Sequence, residues 1–547
     1  MYHIILDFLM KQRFIFFFLV TLLLLSFVNC AKRGTPTGGD ADKTPPKLVK
    51  AQPEEFSTNF DKKRIRIYFD EYIKVKDIQK QLIISPPIKE GGYIIYPQGS
   101  ASKYIDIQIL DTLQPNTTYS FNFGKSIVDN NEGIPYDYFK YVFSTGSYID
   151  SLEVGGTIKD AVNRSPEKFV SVMLYEIDST YTDSTVYNKT PTYITNTLDS
   201  LTEFKLSNLR AGTYKMVALK ETSNNYAFNP LSDKIGYVEQ EVTVPTDSMY
   251  EITMFKEIPA FRATRPAQIS KGMIAFGYEG EVDSMKITVN SEVAENFRYK
   301  TMKDPEKDTL RYWFENLKPA TDSLVFTVSK GAYSNDFTVK LKELERDSMK
   351  ISVNYRGNIP PNRDFKITAN TPIVAVDDAT ISIQNKDSIP VKFTSKFNKK
   401  DNSLDLFFEK KESQRYNITM LPKTITDFYG EVNDTLKYAL TTKANKDYGN
   451  IQLTYNGTEF PVIIQIVNEK LELIAEEYVT EAKPFYNFPF IDPQNVYFRV
   501  IFDTNKNGKW DTGNYLKKIQ PEVIKYFPKR VEIRANWDVI EDLIGLK

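Results

Sequence analysis

Short runs in which apolar and polar residues alternate follow one another along most of the chain. They include RIRIYF (64–69), YIDIQIL (104–110), YSFNF (119–123), VSVMLY (170–175), MKITV (285–289), LVFTV (324–328) and VYFRVIF (496–502). A period of two places every second side chain on one face of a strand, and the Pro, Asn, Asp and Gly residues between runs supply turns. A helical period appears only in the last dozen residues. Short alternating strands with regular turn signals predict an all-β chain built from sandwiches.

Two internal repeats divide the chain. YSFNFGKSIVDNNEGIPYDYFKYVFSTG (119–146) lies over YNITMLPKTITDFYGEVNDTLKYALTTK (416–443) at an offset of 297 or 298. FKLSNLRAGTYKMVALKETSNNYAFN (204–229) lies over YNFPFIDPQNVYFRVIFDTNKNGKWD (486–511) without a gap, pairing Glu221 with Asp503 and Phe228 with Trp510. The predicted order is therefore a first module at 47–147, a second at 151–257, an intervening β module of open type at 258–345, then the first plan again at 346–444 and the second again at 447–547. The expected shape is a rod or chain of about five modules.

The first plan, with FDEYIKVKD (69–77), LQPNTTYSFNF and the closing YVFSTG, resembles the bacterial Ig-like domain of S-layer proteins. The second, with VGGTIKDA (154–161), VSVMLYEID (170–178) and FKLSNLRAGTYKMVALK (204–220), resembles the carboxypeptidase regulatory-like, transthyretin-type sandwich. The combination is similar to Ig-like lipoproteins of Bacteroidota. It implies a fold of tandem Ig-like and transthyretin-like sandwiches. In other proteins the regulatory-like module is an accessory, which implies structure or binding rather than catalysis.

The first 29 residues read as a signal peptide: Lys11 and Arg13 precede the apolar run FIFFFLVTLLLLSFV (14–28), too short between such flanks for a membrane span. Cys30, the only cysteine, is the expected lipidation site, although Phe27 and Asn29 depart from the usual residues before a lipidated Cys. Residues 30–46 then read as a flexible tether. The expected address is the outer membrane, on its surface or periplasmic face, with a membrane contact through the lipid. Seventy basic and 71 acidic residues leave no basic surplus for nucleic acid.

The only histidine is His3, so the chain beyond the signal segment has no His and no thiol other than Cys30. This excludes Ser-His-Asp and Cys-His nucleophile systems and His-ligated zinc. Paired carboxylates for glycoside hydrolysis stay open as an alternative. So does a surface that binds a glycan or protein partner, with Trp313 in RYWFENL as a sugar-stacking platform beside the options Trp510 and Trp537.

DTNKNGKWDTG (503–513) has the rhythm of a calcium loop. Asp503, Asn505, Asn507, the Lys509 carbonyl and Asp511 stand at positions one, three, five, seven and nine, and Gly508 at six. Position twelve is Asn514 where a bidentate Glu is expected, and Glu522 is a remote candidate. The alternative is a metal-free β-hairpin turn at Asn507-Gly508. Asp-Ser/Thr-apolar (or Thr) tripeptides recur twelve times. They fit either turn chemistry or the acceptor pattern for O-linked glycans on exported Bacteroidota proteins.

Overall fold

A computed structural model describes residues 43–89, 91–198 and 202–546. The signal segment and Cys30 lie outside the described residues. Among the described residues the fold is all-β, with five separate module cores.

In the first core, Leu48–Gln52, Arg64–Val75, Ser102–Ile109 and Tyr93–Tyr96 lie side by side in that order. Ile127–Asp129 pairs with the far end of Arg64–Val75. Ile83–Ser85, Thr118–Asn122 and Lys140–Ser144 form the facing sheet. The alternation of RIRIYF is realised directly: Ile65, Ile67 and Phe69 are buried, while Arg64, Arg66 and Tyr68 face outward.

Residues 346–444 repeat the plan, with Ile351–Val353, Phe365–Ala369, Ser403–Phe408 and Phe393–Asn398 in the same order. The long strand of the first copy is split here into Phe365–Ala369 and Ile373–Val376. Pro372, which has no N–H to give a ladder, stands in the gap. The intervening stretch shows the same order again: Ala267–Ser270, Met273–Glu279, Thr309–Glu315 and Arg298–Lys303 face Lys286–Val289, Ser323–Lys330 and Tyr333–Lys340. Gly331 and Ala332 alone join its last two strands, where the other copies insert the extra short strand.

The second plan is equally exact in its repetition. Leu152–Asp160 lies between Glu203–Leu209, antiparallel, and Met249–Met254, parallel. Gly449–Thr454 lies in the same way between Tyr486–Ile491 and Asp538–Asp542. The close parallel strand needs Gly156, since a Cβ there would stand 1.9 Å from the Tyr250 carbonyl oxygen. The last dozen residues, despite their helical period, thus contain a strand. The parallel slot beside Gly449–Thr454 takes Val539 toward the core and leaves Ile540 outside.

Three junctions between neighbouring modules carry hydrogen bonds. Between the first and second, Thr118 Oγ1 donates to Asp150 Oδ2 at 2.7 Å and the Arg210 guanidinium to Thr117 Oγ1 at 2.9 Å. Between the third and fourth, Tyr429 OH donates to the Gly272 carbonyl at 2.7 Å, beside buried Met273, Trp313 and Phe428. Between the fourth and fifth, Arg363 Nη2 donates to the Ile474 carbonyl at 2.6 Å. The array is not an open rod, because residues 510–528 fold back onto the second module.

Candidate functional site at the seam closed by the C-terminal loop

Strands Gln494–Phe502 and Ile524–Tyr526 pair antiparallel, but residues 503–523 between them form a long excursion rather than a two-residue hairpin turn. The loop is organised by two buried carboxylates. Asp503, 1 % exposed, accepts from the amides of Asn507 at 3.1 Å and Gly508 at 2.7 Å. Glu522 accepts from the amides of Thr504 at 2.7 Å and Asp511 at 3.1 Å. Lys506 and Gly508 take φ of 62° and 79°, the left-handed region that a tight turn of this kind uses. Asn505 and Asn507 both turn their side-chain amides to the Asp511 carboxylate.

The first copy has the same device without the glycine. Glu221 accepts from the amides of Asn225 at 2.9 Å and Tyr226 at 3.0 Å, the positions equivalent to Asn507 and Gly508. Burial holds the Glu221 carboxyl above the usual range, against the two amides that favour its charged form. Phe228 and Trp510, paired by the repeat, meet in one apolar cluster between the modules.

The excursion delivers Tyr515 to the outer sheet face of the second module. Its side chain is fully buried, with the ring 5.2 Å from Tyr237, edge-on, and its OH 3.3 Å from Tyr181 OH. Tyr515 N donates to the buried Glu257 carboxylate, whose pKa burial raises. Burial also pushes the Tyr237 hydroxyl up to about 12 and holds the Lys215 ammonium below its ordinary value. Around this plug, Thr512 Oγ1 donates to the Lys256 carbonyl at 2.7 Å and Tyr526 OH to the Val162 carbonyl at 2.6 Å. The Arg164 guanidinium lies 4.1 Å from the centre of the Tyr497 ring. Lys518 pairs with Asp183 at the rim.

The predicted site residues fall in different places. Asp503, Asn505, Asn507, Lys509 and Asp511 come together in the loop, with Glu522 behind them. Among the described residues no group of three or more His, Cys, Asp and Glu stands where it could hold a metal ion. Trp313 is corrected as a sugar platform: it is 3 % exposed, against Met273 and Phe428 in the third seam. Trp510 donates to the Glu522 carbonyl at 2.9 Å, half-buried, and Trp537 is exposed under Arg534.

Glu221 and Asp233 are one pair of neighbouring acids, and each oxygen of both accepts a bond from the loop 225–232. The Ser or Thr of tripeptides 111–113, 247–249, 283–285, 387–389 and 434–436 is exposed, as both readings of that pattern require. The docked plug went unread in the sequence. Its signal was VSVMLY and YKMVAL, apolar on both strand faces, which calls for cover on both sides.

Residues 42–145 match the family model described as bacterial Ig-like domain. No curated protein matches the chain. Among solved structures, the chain is similar to domains 1–6 of the surface layer protein SbsC at 11 % identity and a TM-score of 0.14, covering 91 % of this chain and 68 % of that one. It is also similar to a crystal structure of tandem titin domains at 9 % identity and a TM-score of 0.14, covering 51 % of this chain and 98 % of that one.

Proposed function

We propose that this protein is a non-enzymatic scaffold of the cell envelope, tethered to the outer membrane through lipidated Cys30 and presenting surfaces for a protein or glycan partner. The observation that supports it is the closed array: five sandwiches, bonded to one another at the first–second, third–fourth and fourth–fifth junctions, with the last module plugged into the second by Tyr515. Such an array keeps its loops and sheet edges in fixed relation, which is what a spacer or presenting surface requires. The bacterial Ig-like match over 42–145 agrees with this role. In cells, the native chain is expected in the membrane fraction carrying an incorporated alkyne-tagged fatty acid, and Cys30→Ala in the soluble fraction without it. Retention of the Cys30→Ala variant in membranes would refute the anchor.

Calcium at 503–511 is a second reading, favoured by the two carboxylates Asp503 and Asp511 that Asn507 bridges on one loop. Binding an ion requires Asn505 and Asn507 to turn their oxygens inward in place of the amide nitrogens that face Asp511. Only two carboxylates belong to the loop itself, which places the affinity near about 0.1–1 mM. At tenfold excess over Kd, calcium then adds about 1.4 kcal/mol to stability. The intact chain is expected to melt several degrees higher in calcium than in chelator, and identical melting curves exclude the site.

A further inference from the structure

A cleft of about 720 Å³ lies between the first and second modules, on the opposite side of the second module's sandwich from the Tyr515 plug. This is within the usual size of small-molecule sites. Its floor is the outer face of the sheet centred on Leu152–Asp160. There Gly155 leaves the backbone bare, and the Met249 thioether rests beside it: a Cβ on Gly155 would be 3.6 Å from both Sδ and Cε. Met249 is 71 % exposed, an unusual state for a methionine with a cleft at its side.

Tyr138 forms a wall, the residue 42 % exposed and its backbone at φ 58°. A bulky residue in the left-handed region is strained and marks a constrained position. Lys140, from the first module, extends into the cleft and donates to Ser207 Oγ of the second at 2.5 Å. Burial lowers its pKa, and no salt bridge reaches it among the described residues. Lys205, the cross-strand partner of Gly155, pairs with Glu153 at 2.6 Å on the same floor.

The cleft thus combines a small apolar patch of bare Gly155 backbone and Met249, an exposed aromatic residue, and charged and polar side chains that supply both donors and acceptors. The two lysines are offset by Glu153, Glu203 and Asp247 on the same walls, so the cleft has no cationic surplus to select an anion. A pyranose has matching chemistry: C–H faces that lie on apolar surface and rings, and hydroxyls that each need a donor and an acceptor. We propose that this cleft is a binding site for a neutral saccharide, with Tyr138 and Met249 against its C–H face and Lys140 and Glu153 on its hydroxyls. The site is independent of membrane attachment and is separate from Trp313.

The test uses the chain with its methionine methyls ¹³C-labelled, the Met249 resonance being identified among the 11 methionines by Met249→Leu. Glucose, galactose and N-acetylglucosamine are titrated to about 100 mM, a range that captures Kd values of a few millimolar. Glucuronate and glycerol serve as contrasts. The expected result is a saturable shift of the Met249 methyl with at least one neutral sugar. Affinity should fall about tenfold or more in Tyr138→Gly, which suits the local backbone, and in Lys140→Met. Shifts no larger than those with glycerol, a stronger response to glucuronate, or affinity unchanged in both variants overturns the proposal.

Discussion

Tyr515→Ala is expected to destabilise the intact chain by about 3–5 kcal/mol, the range for deleting a buried aromatic side chain. The side chain is fully buried between two modules, so the cavity it leaves cannot be refilled by its own sandwich. Its backbone bond to Glu257 and the ring contacts with Tyr237 and Tyr187 depend on the same docked loop. The loss should therefore appear on both sides of the seam. Amide hydrogen exchange is expected to accelerate at 512–520 and at 234–238, while the core strands of the first module keep their protection. Tyr515→Phe retains the rings and loses only the hydroxyl contact with Tyr181, at a cost of about 1 kcal/mol. Equal effects of the two variants would mean that the hydroxyl, not the packing, holds the seam.

Trp313→Ala is expected to cost a similar ~3–5 kcal/mol, now at the seam between the third and fourth modules. Trp313 fills the space between Met273 and Phe428, next to the bond from Tyr429 OH to the Gly272 carbonyl. Chemical denaturation should show the transition of these two modules at lower denaturant, and exchange should rise at 427–430. Saccharide binding at the Tyr138 cleft should be unchanged in this variant, provided it is measured below the new transition. A variant of native stability would place Trp313 at the surface and restore it as a ligand platform.

The architecture was largely legible because alternation and repetition act locally. Ile65, Ile67 and Phe69 fall on the buried face that their spacing assigns, and the pairing of Glu221 with Asp503 predicts two loops in which the same carboxylate holds the same two amides. What alternation alone does not give is the cover on a sandwich's outer face. In RYWFENL, Tyr312 and Phe314 point into their own core, and Trp313 points away from it, toward what would be solvent in an isolated module. Three adjacent buried aromatics are a sign of burial on both faces.

The two copies of the second plan differ in the same informative way. The outer face of the second module carries Val217 and Leu219 under the docked loop. The fifth module has Arg499 at the position of Val217, and there Arg499 donates to Gln465 at 2.7 Å in a polar ladder. Comparing outer faces between repeats separates the copies at Val217 and Arg499 but not at Leu219 and Ile501, which are both buried. It does not supply the cover, since Tyr515 reaches its site from more than 250 residues away. The sequence likewise contains no marker for the Tyr138 cleft, which exists only where two modules meet.

Closure of the array by the C-terminal loop is tested most directly by zero-length carbodiimide cross-linking of the unmodified chain, read by peptide mass spectrometry. Carbodiimide joins only amine and carboxylate groups already in contact, and Lys518 pairs with Asp183 across the seam, 335 residues apart in sequence. The pairs Lys205–Glu153 and Lys159–Glu251 lie within the second module and serve as internal references. A Lys518–Asp183 peptide at a yield comparable to the references is the predicted result. Its absence while both reference links form would show that the last module does not dock on the second, and that the array is open.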